Sequence, residues 1–432
     1  MYYEDTKMEK TMYDTFIKII LKELIPAVGC TEPSSIAFAA AKARSVLGCI
    51  PEKVKITISG DILKNAKSAV VPNTGGLVGI KASVAAGIIA GAENMYLEVL
   101  IRVSDEQRNK INTYLKNTPI EVEISQSGCI FEIEIEIFSD NRSAKVRIAN
   151  SHTRIMFIEK NGELLYERDK EYNFDVTKEE YEKLNIGNII HFTEIVKLDE
   201  IREIILKQIM YNTAISDEGL KNECGANIGK TILQLYGKDD VRVRAKAKAA
   251  AGSDARMHGS TLPVIVVCGS GNQGITASVP VVEYAKEMKV SEEILLRAII
   301  LSDLVAIYIK SGIGKLSAFC GAVCAAIGAA SGIAYMKGGR EPEISHTIVN
   351  AIGVLSGMIC DGAKASCAAK IAAAVDSAIF GYEMYISGNE FRCGDGIIAS
   401  TADKTIENVG RLGSVGFKQA DFEILQMMLQ SE

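Results

Sequence analysis

Apolar residues recur at helical spacing through 8–24, where Phe16, Ile19, Ile20 and Leu24 share one face, so the pattern predicts an amphipathic helix. A tight apolar turn, Pro26-Ala-Val-Gly-Cys30-Thr-Glu-Pro33, leads into a second helix over 34–47. Pro33 suits its first turn, and Thr31 or Glu32 its cap. Past Pro51 the period changes. Residues 54–59 read as a strand, 75–92 as a Gly/Ala-rich helix and 104–116 as a polar helix. Phe131 to Phe138, FEIEIEIF, alternates without a break and predicts a strand with one buried face. Strands over 144–149 and 153–159, and an Asn161-Gly162 turn before 164–166, complete an α/β module of roughly 140 residues. The charged stretch 167–188 leads out. From residue 194 the pattern is helical almost throughout: 200–210, 219–236, 243–251, 279–287, 292–310, then Ala-rich pieces up to 430. So much Ala and Gly predicts backbones packed closely around something small.

Composition changes this picture only at the margins. The 432 residues are 48% apolar with a net charge of −6, which fits a globular protein with two or three domains. The absence of a basic stripe argues against nucleic acid as the main partner. The polar start, MYYEDTKMEK, carries no secretory pattern, and ten cysteines then point to thiols or metal ligands in a reducing compartment, the cytoplasm. Residues 316–336 form a run of 21 without a charge, long enough to span a bilayer. That run is mostly Ala, Gly, Ser and Cys, however, and reads as close packing in a water-soluble core, with no membrane partner.

The candidate chemistry centres on Met358–Lys370, MICDGAKASCAAK, and on LSAFCGAVC from Leu316 to Cys324. On one unbroken helix, Cys360 and Cys367 would lie roughly 10 Å apart. Gly362 lets one helix end near Cys360 and another begin near Cys367, so both sulfurs can face one corner, with Cys320 arriving from elsewhere. Three thiolates fit a four-iron cluster with one open iron, a Lewis acid. The alternative is three small buried residues in an Ala-rich core. Cys30, beside a helix N-terminus, is either a stabilised thiolate or an inert buried thiol. Gly269-Ser-Gly-Asn-Gln-Gly274 lacks the phosphate-loop lysine, and its backbone nest with Ser270, Asn272 and Gln273 suits a carboxylate or is simply a turn. Arg256 offers a bidentate clamp and His152 a proton handler. Lys64 and Asn65 lie in a polar stretch at a strand exit, where α/β modules bind ligands. No lysine marks a pyridoxal site, and four scattered histidines disfavour zinc.

The segments GCTEPSSIAFAAAKA, GSGNQGITASVPV, IYIKSGIGKLSAFCGAVCAAIGAASGIAYM and CDGAKASCAAKIAAAVDSAI together resemble the L-cysteine desulfidase family, a relative of the alpha chain of iron–sulfur L-serine dehydratases. The resemblance implies an α+β fold in which a discontinuous helical catalytic domain, 1–50 and 196–432, carries an inserted α/β domain, 51–195, similar to the dehydratase beta chain. It places one 4Fe-4S cluster with an open iron on Cys320, Cys360 and Cys367 and the catalytic residue on Cys30; Cys324, one helical turn from Cys320, is the backup ligand. Cys49, Cys129, Cys224 and Cys268 are then dispensable for the cluster. The family's HTN motif reads His152-Thr153-Arg154 here, which withholds any role from the third position. The implied reaction is β-elimination of L-cysteine to sulfide, ammonia and pyruvate without pyridoxal phosphate. Dehydration of L-serine is the alternative within this chemistry, and a non-enzymatic iron–sulfur redox sensor the alternative outside it. Some relatives carry a cysteine near the chain end that can occupy the open iron; this sequence ends Leu429-Gln-Ser-Glu432, which favours the desulfidase. The expected partner is a small amino acid, with a homodimer left open.

Overall fold

The computed structural model describes residues 8–168, 176–314 and 316–430, and the fold is α+β and mainly helical, as the pattern predicts. The expectations for residues 1–7, for part of 167–188 and for the last two residues lie outside the described residues. The strands are β1 (Pro26–Val28), β2 (Lys53–Ile58), β3 (Ile120–Ile124), β4 (Glu132–Ser139), β5 (Arg142–Ala149), β6 (Ile155–Lys160), β7 (Glu163–Glu167) and β8 (Pro263–Ile265).

Six of them form one sheet in the order β3-β2-β4-β5-β6-β7, antiparallel except for β2 against β3. The alternation in FEIEIEIF sets its register. Ile133, Ile135 and Ile137 stand opposite Ile58, Ile56 and Val54, and all six are fully buried. Each burial contributes roughly 1.5–3 kcal/mol, and a slip of one residue would turn Glu134 and Glu136 into the core instead. The Asn161-Gly162 turn forms as expected, with φ of 52° and 81°, values these residue types tolerate in a tight hairpin. Helices Thr31–Leu47, Ile80–Ala90 and Asp105–Asn117 belong to the same layered core.

The helical region builds a second core. Its Gly and Ala content has the effect expected: a Cβ on Gly328 would collide with the carbonyl of Ser302, and one on Gly332 would reach that of Ala298. Helix Gly321–Met336 therefore lies backbone against backbone on Glu292–Ile313. This same segment was the membrane candidate, and no helix among the described residues is long and apolar enough to cross a membrane.

Packing divides the chain differently from the expected boundaries at 50 and 195. Helix Lys10–Glu23 does join the helical core, through Phe16 and Phe192 with ring centroids 5.0 Å apart. Helix Thr31–Leu47 instead packs in the sheet core through Ile36, Phe38 and its alanines. Residues from Val176 through Ile205 return to the helical core. The changeover falls at Cys30, because β1 pairs antiparallel with β8 in the helical region, Val28 opposite Pro263, and the next helix enters the lobe. The β1 and β8 segments read as a turn and an apolar run in sequence. Helices Gly60–Ala66 and Ile186–Ile195 also lack a clear sequence signal.

Candidate active site

Cys320 and Cys360 are set by a short antiparallel bridge between Phe319 and Ile359. The Cys320 amide donates to the Met358 carbonyl at 3.0 Å and the Cys360 amide to the Ala318 carbonyl at 2.6 Å. Both side chains consequently leave the same face, on diagonal positions that lie roughly 7–8 Å apart in a regular sheet. Gly362, at φ 94°, then reverses the chain, and any Cβ there would collide with the Lys64 carbonyl. Asp361 pins this reversal, binding Lys364 at 2.6 Å and also Lys370. Cys367 follows in the first turn of helix Ser366–Ile386. With Cys30, these three cysteines line one cavity of about 280 Å³.

Four helices begin at that cavity. Cys30 is the N-cap of Thr31–Leu47, Ser270 that of Gly271–Met288 and Cys320 that of Gly321–Met336, while Cys367 opens the fourth. None of the three caps uses its side chain to cap its helix. The partial positive charge of helix N-termini thus faces the cavity from four directions, which favours an anionic occupant.

The GSGNQG segment shapes the polar wall. Gly269, at φ 75°, presents its α-carbon to the His152 ring, and a Cβ there would lie 2.8 Å from His152 Cε1. A Cβ on Gly271 would overlap Arg256 Nε. Arg256 is almost fully buried and donates to Asn272 Oδ1 at 3.1 Å, while its Nε and the Gln273 Oε1 have no partner among the described residues. His152 comes from the β5–β6 turn, packs edge-on to Phe131 at 4.7 Å and places Nε2 3.7 Å from Glu32 Oε1. Glu32 also accepts from Asn65 at 3.3 Å and from Thr31 Oγ1 at 3.0 Å.

Electrostatics separate the thiols from the carboxylate. Burial pushes Cys30 up to about 12, with Arg256 acting in the opposite direction. Burial likewise raises Cys320 to about 12, helped by neighbouring Cys360, and raises Cys367. The thiolate expected from helix position alone is therefore opposed by desolvation, which dominates at these buried sulfurs. Burial pushes Glu32 upward too, yet His152, its local backbone and Arg256 outweigh it, and the carboxyl sits below its ordinary value.

Among the described residues, no group of three or more His, Cys, Asp or Glu side chains converges to hold a single metal ion. An iron–sulfur cluster asks for something else: thiolates spread over separate irons around a shared space, with soft sulfur donors. Three unpaired thiols round one cavity, ringed by helix N-termini, fit that demand.

Ser270, Asn272, Gln273, Arg256, His152 and Asn65 line the same cavity as Cys30, Cys320, Cys360 and Cys367. Lys64, expected among the substrate-binding residues, does not: it is ion-paired with Asp61 at 3.1 Å and with Asp421 of the C-terminal helix Lys418–Gln430. Cys324 is fully buried in the helical core, away from the lining. The sequence marks Glu32 only as a cap, Cys268 only as a cysteine dispensable for the cluster and Lys310 not at all, yet all three line the cavity. Glu32 could have been found from its place beside Cys30; Lys310, inside an apolar helix, carried the signal of a charge at a core position.

A family model described as serine dehydratase alpha chain matches residues 94–426, which include Cys320, Cys360 and Cys367 but not Cys30. A UPF0597 protein of Desulfitobacterium hafniense is 51% identical over 417 residues, 96% of this chain and 97% of that protein. A UPF0597 protein of Lachnoclostridium phytofermentans is 46% identical over 418 residues, covering 97% of this chain and 100% of its own length. Another, from Treponema denticola, is 42% identical over 430 residues, 98% and 99% of the two chains.

Proposed function

Because the chain belongs to the serine dehydratase alpha chain family, we propose that it is an iron–sulfur lyase that eliminates the β-substituent of L-cysteine, giving sulfide, ammonia and pyruvate. The observation that carries the lyase reading is the convergence of Cys30, Cys320, Cys360 and Cys367 on one cavity at four helix N-termini. The choice of cysteine rests on the four motifs that resemble the desulfidases.

Cys320, Cys360 and Cys367 would hold a 4Fe-4S cluster, which when bound supplies a Lewis acid at its iron without a protein thiolate. Cys30 removes the α-proton in its thiolate form, against the burial that raises its pKa. Arg256 is the positive group that opposes burial at Cys30 and so favours that form. Glu32 stays ionised beside it and keeps His152 oriented across 3.7 Å. Asn272 and Gln273 present amide groups to the substrate from the first turn of their helix, and Ser270 an unused hydroxyl. Loss of hydrosulfide leaves aminoacrylate, whose imine tautomer hydrolyses to pyruvate and ammonia.

The second reading, dehydration of L-serine, is favoured by the description of the family. Anaerobically reconstituted protein, assayed for sulfide and pyruvate with each amino acid, separates the two. The proposal expects kcat/KM for L-cysteine to exceed that for L-serine by at least about tenfold, the scale on which one side-chain group is discriminated. A reversed ratio assigns the dehydratase, and no turnover of either overturns the lyase reading.

A further inference from the structure

Among the described residues, two lysines are almost completely buried, and they differ in one respect. Lys64 has two carboxylates, Asp61 and Asp421. Lys310, 5% exposed, lines the cavity, and among the described residues no group forms an ion pair or hydrogen bond with its ammonium. It projects from helix Glu292–Ile313, in the last turn of an otherwise apolar core element. Asp61, the carboxylate that feels its charge, is engaged by Lys64, and Glu23 in the cavity lining accepts from Tyr181. The Lys310 side chain therefore meets the cavity with no ion pair of its own, and an anion that enters can supply its counter-charge.

The opposite valence is open on the same wall. Gln273 Oε1 is a buried acceptor with no donor, fixed by its approach to Gly321, where a Cβ would lie 2.8 Å from it. A cation without an anion and an acceptor without a donor complement a zwitterion. Arg256 is less free to serve, since it is tied to Asn272 and its charge acts on Glu32 and Cys30.

We propose that Lys310 is the specificity residue that receives the substrate's α-carboxylate, with Gln273 Oε1 receiving its ammonium group. This deepens the amino-acid lyase reading above and rests on it for the identity of the substrate. Arg256 then becomes a positioning residue for Glu32 and Cys30.

The test uses L-alanine, a zwitterion with nothing to eliminate, and its amide, which lacks the carboxylate. Binding is measured by calorimetry on anaerobically reconstituted wild type, Lys310→Met and Gln273→Leu. Wild type should prefer L-alanine over L-alaninamide, and Lys310→Met should weaken L-alanine about 30- to 100-fold while leaving the amide unchanged, as for loss of a buried charge-assisted bond. Lys310→Met should unfold cooperatively at a Tm no lower than that of the ligand-free wild type, because no ion pair is broken, and this reports that the variant is folded. Gln273→Leu should weaken both ligands alike. If Lys310→Met keeps the wild-type preference for the acid, or if wild type shows no preference, the proposal is overturned; a pure counter-charge to the cluster would give that result. Loss of preference in Lys310→Met together with absent turnover of L-cysteine and L-serine would uphold this proposal and overturn the lyase reading alone.

Discussion

The two regions that meet at the cavity are built by opposite rules. The helical region packs backbone on backbone, with Gly328 and Gly332 pressed against the carbonyls of the neighbouring helix. It contributes the three clustered cysteines and the polar wall of Arg256, Asn272, Gln273 and Lys310. The sheet lobe packs by alternating isoleucines and contributes Glu32, Asn65, Phe131 and His152. One region therefore supplies thiols and cationic groups, and the other a carboxylate and an imidazole beside Cys30 at the changeover. Function at this site depends on how the two are kept in register.

The largest effect is expected where the helical region loses one of its thiols. Cys320→Ala, Cys360→Ala or Cys367→Ala should each abolish the visible cluster absorbance, bound iron and activity together, because a cube lacking one thiolate exposes a second iron. Cys324→Ala, away from the cavity, should keep all three. If Cys324→Ala loses the iron and Cys320→Ala keeps it, the ligands have been assigned to the wrong residue of the pair.

Register between wall and base comes next. Gly271→Ala places a methyl group where Arg256 Nε lies, so the guanidinium must move. A displacement near 1 Å costs about 10²-fold in rate, so kcat/KM should fall by that order with the cluster spectrum unchanged. An active Gly271→Ala enzyme would show that Arg256 has no bearing on Cys30.

A smaller effect tests how the regions are latched. Asp421 accepts from Lys64 of the lobe and from the Ala318 amide at 2.7 Å, one residue before Phe319 in the bridge that sets Cys320 and Cys360. Asp421→Ala leaves Lys64 with Asp61 alone and strands a buried amide, which should cost roughly 1–3 kcal/mol in chemical denaturation. An unchanged midpoint would mean the C-terminal helix merely rests on the surface.

The smallest effect compares two buried carboxyls. Burial raises Asp303, in the helical core, to about 8, with Gln208 donating to it at 2.9 Å. Its folded value lies above the unfolded value of roughly 4, so the folded chain keeps the proton longer. The stability it contributes is complete below about pH 4 and is lost as pH rises towards 8. Glu32 behaves the other way: its lowered value contributes stability above the unfolded pKa, lost as pH falls through the folded one. Asp303→Asn should flatten the decline in Tm between pH 5 and 8, and Glu32→Gln the decline on the acid side. An Asp303→Asn profile parallel to wild type would contradict the assignment.

What could be read from the sequence follows the same division. The alternating FEIEIEIF, the Asn161-Gly162 turn and the long helices announce themselves because each depends on local periodicity or local φ. That Cys320, Cys360 and Cys367 face one space was legible from Gly362, whose φ of 94° allows the reversal between the last two. The changeover at Cys30 was not, because helix Thr31–Leu47 is small-residue-rich, with five Ala in 17 residues, and buries nearly every face; only its long-range packing on β4 and β5 decides. Lys64 and Lys310 show the same limit. A polar stretch at a strand exit suggested the first, and an apolar helix hid the second, although it is the second that lines the cavity.

The central claim is that Cys30 handles the proton while Cys320, Cys360 and Cys367 hold the cluster. It is tested most directly by Cys30→Ala in anaerobically reconstituted protein, measuring bound iron and sulfide beside exchange of the substrate α-proton with deuterated water. The account predicts full iron and sulfide, an unchanged cluster spectrum and exchange slowed by about 10²–10⁴-fold, the usual effect of removing a positioned proton acceptor. Exchange at the parent rate would move the base elsewhere, with His152 next in line, and loss of the cluster would make Cys30 a ligand; either result contradicts the account.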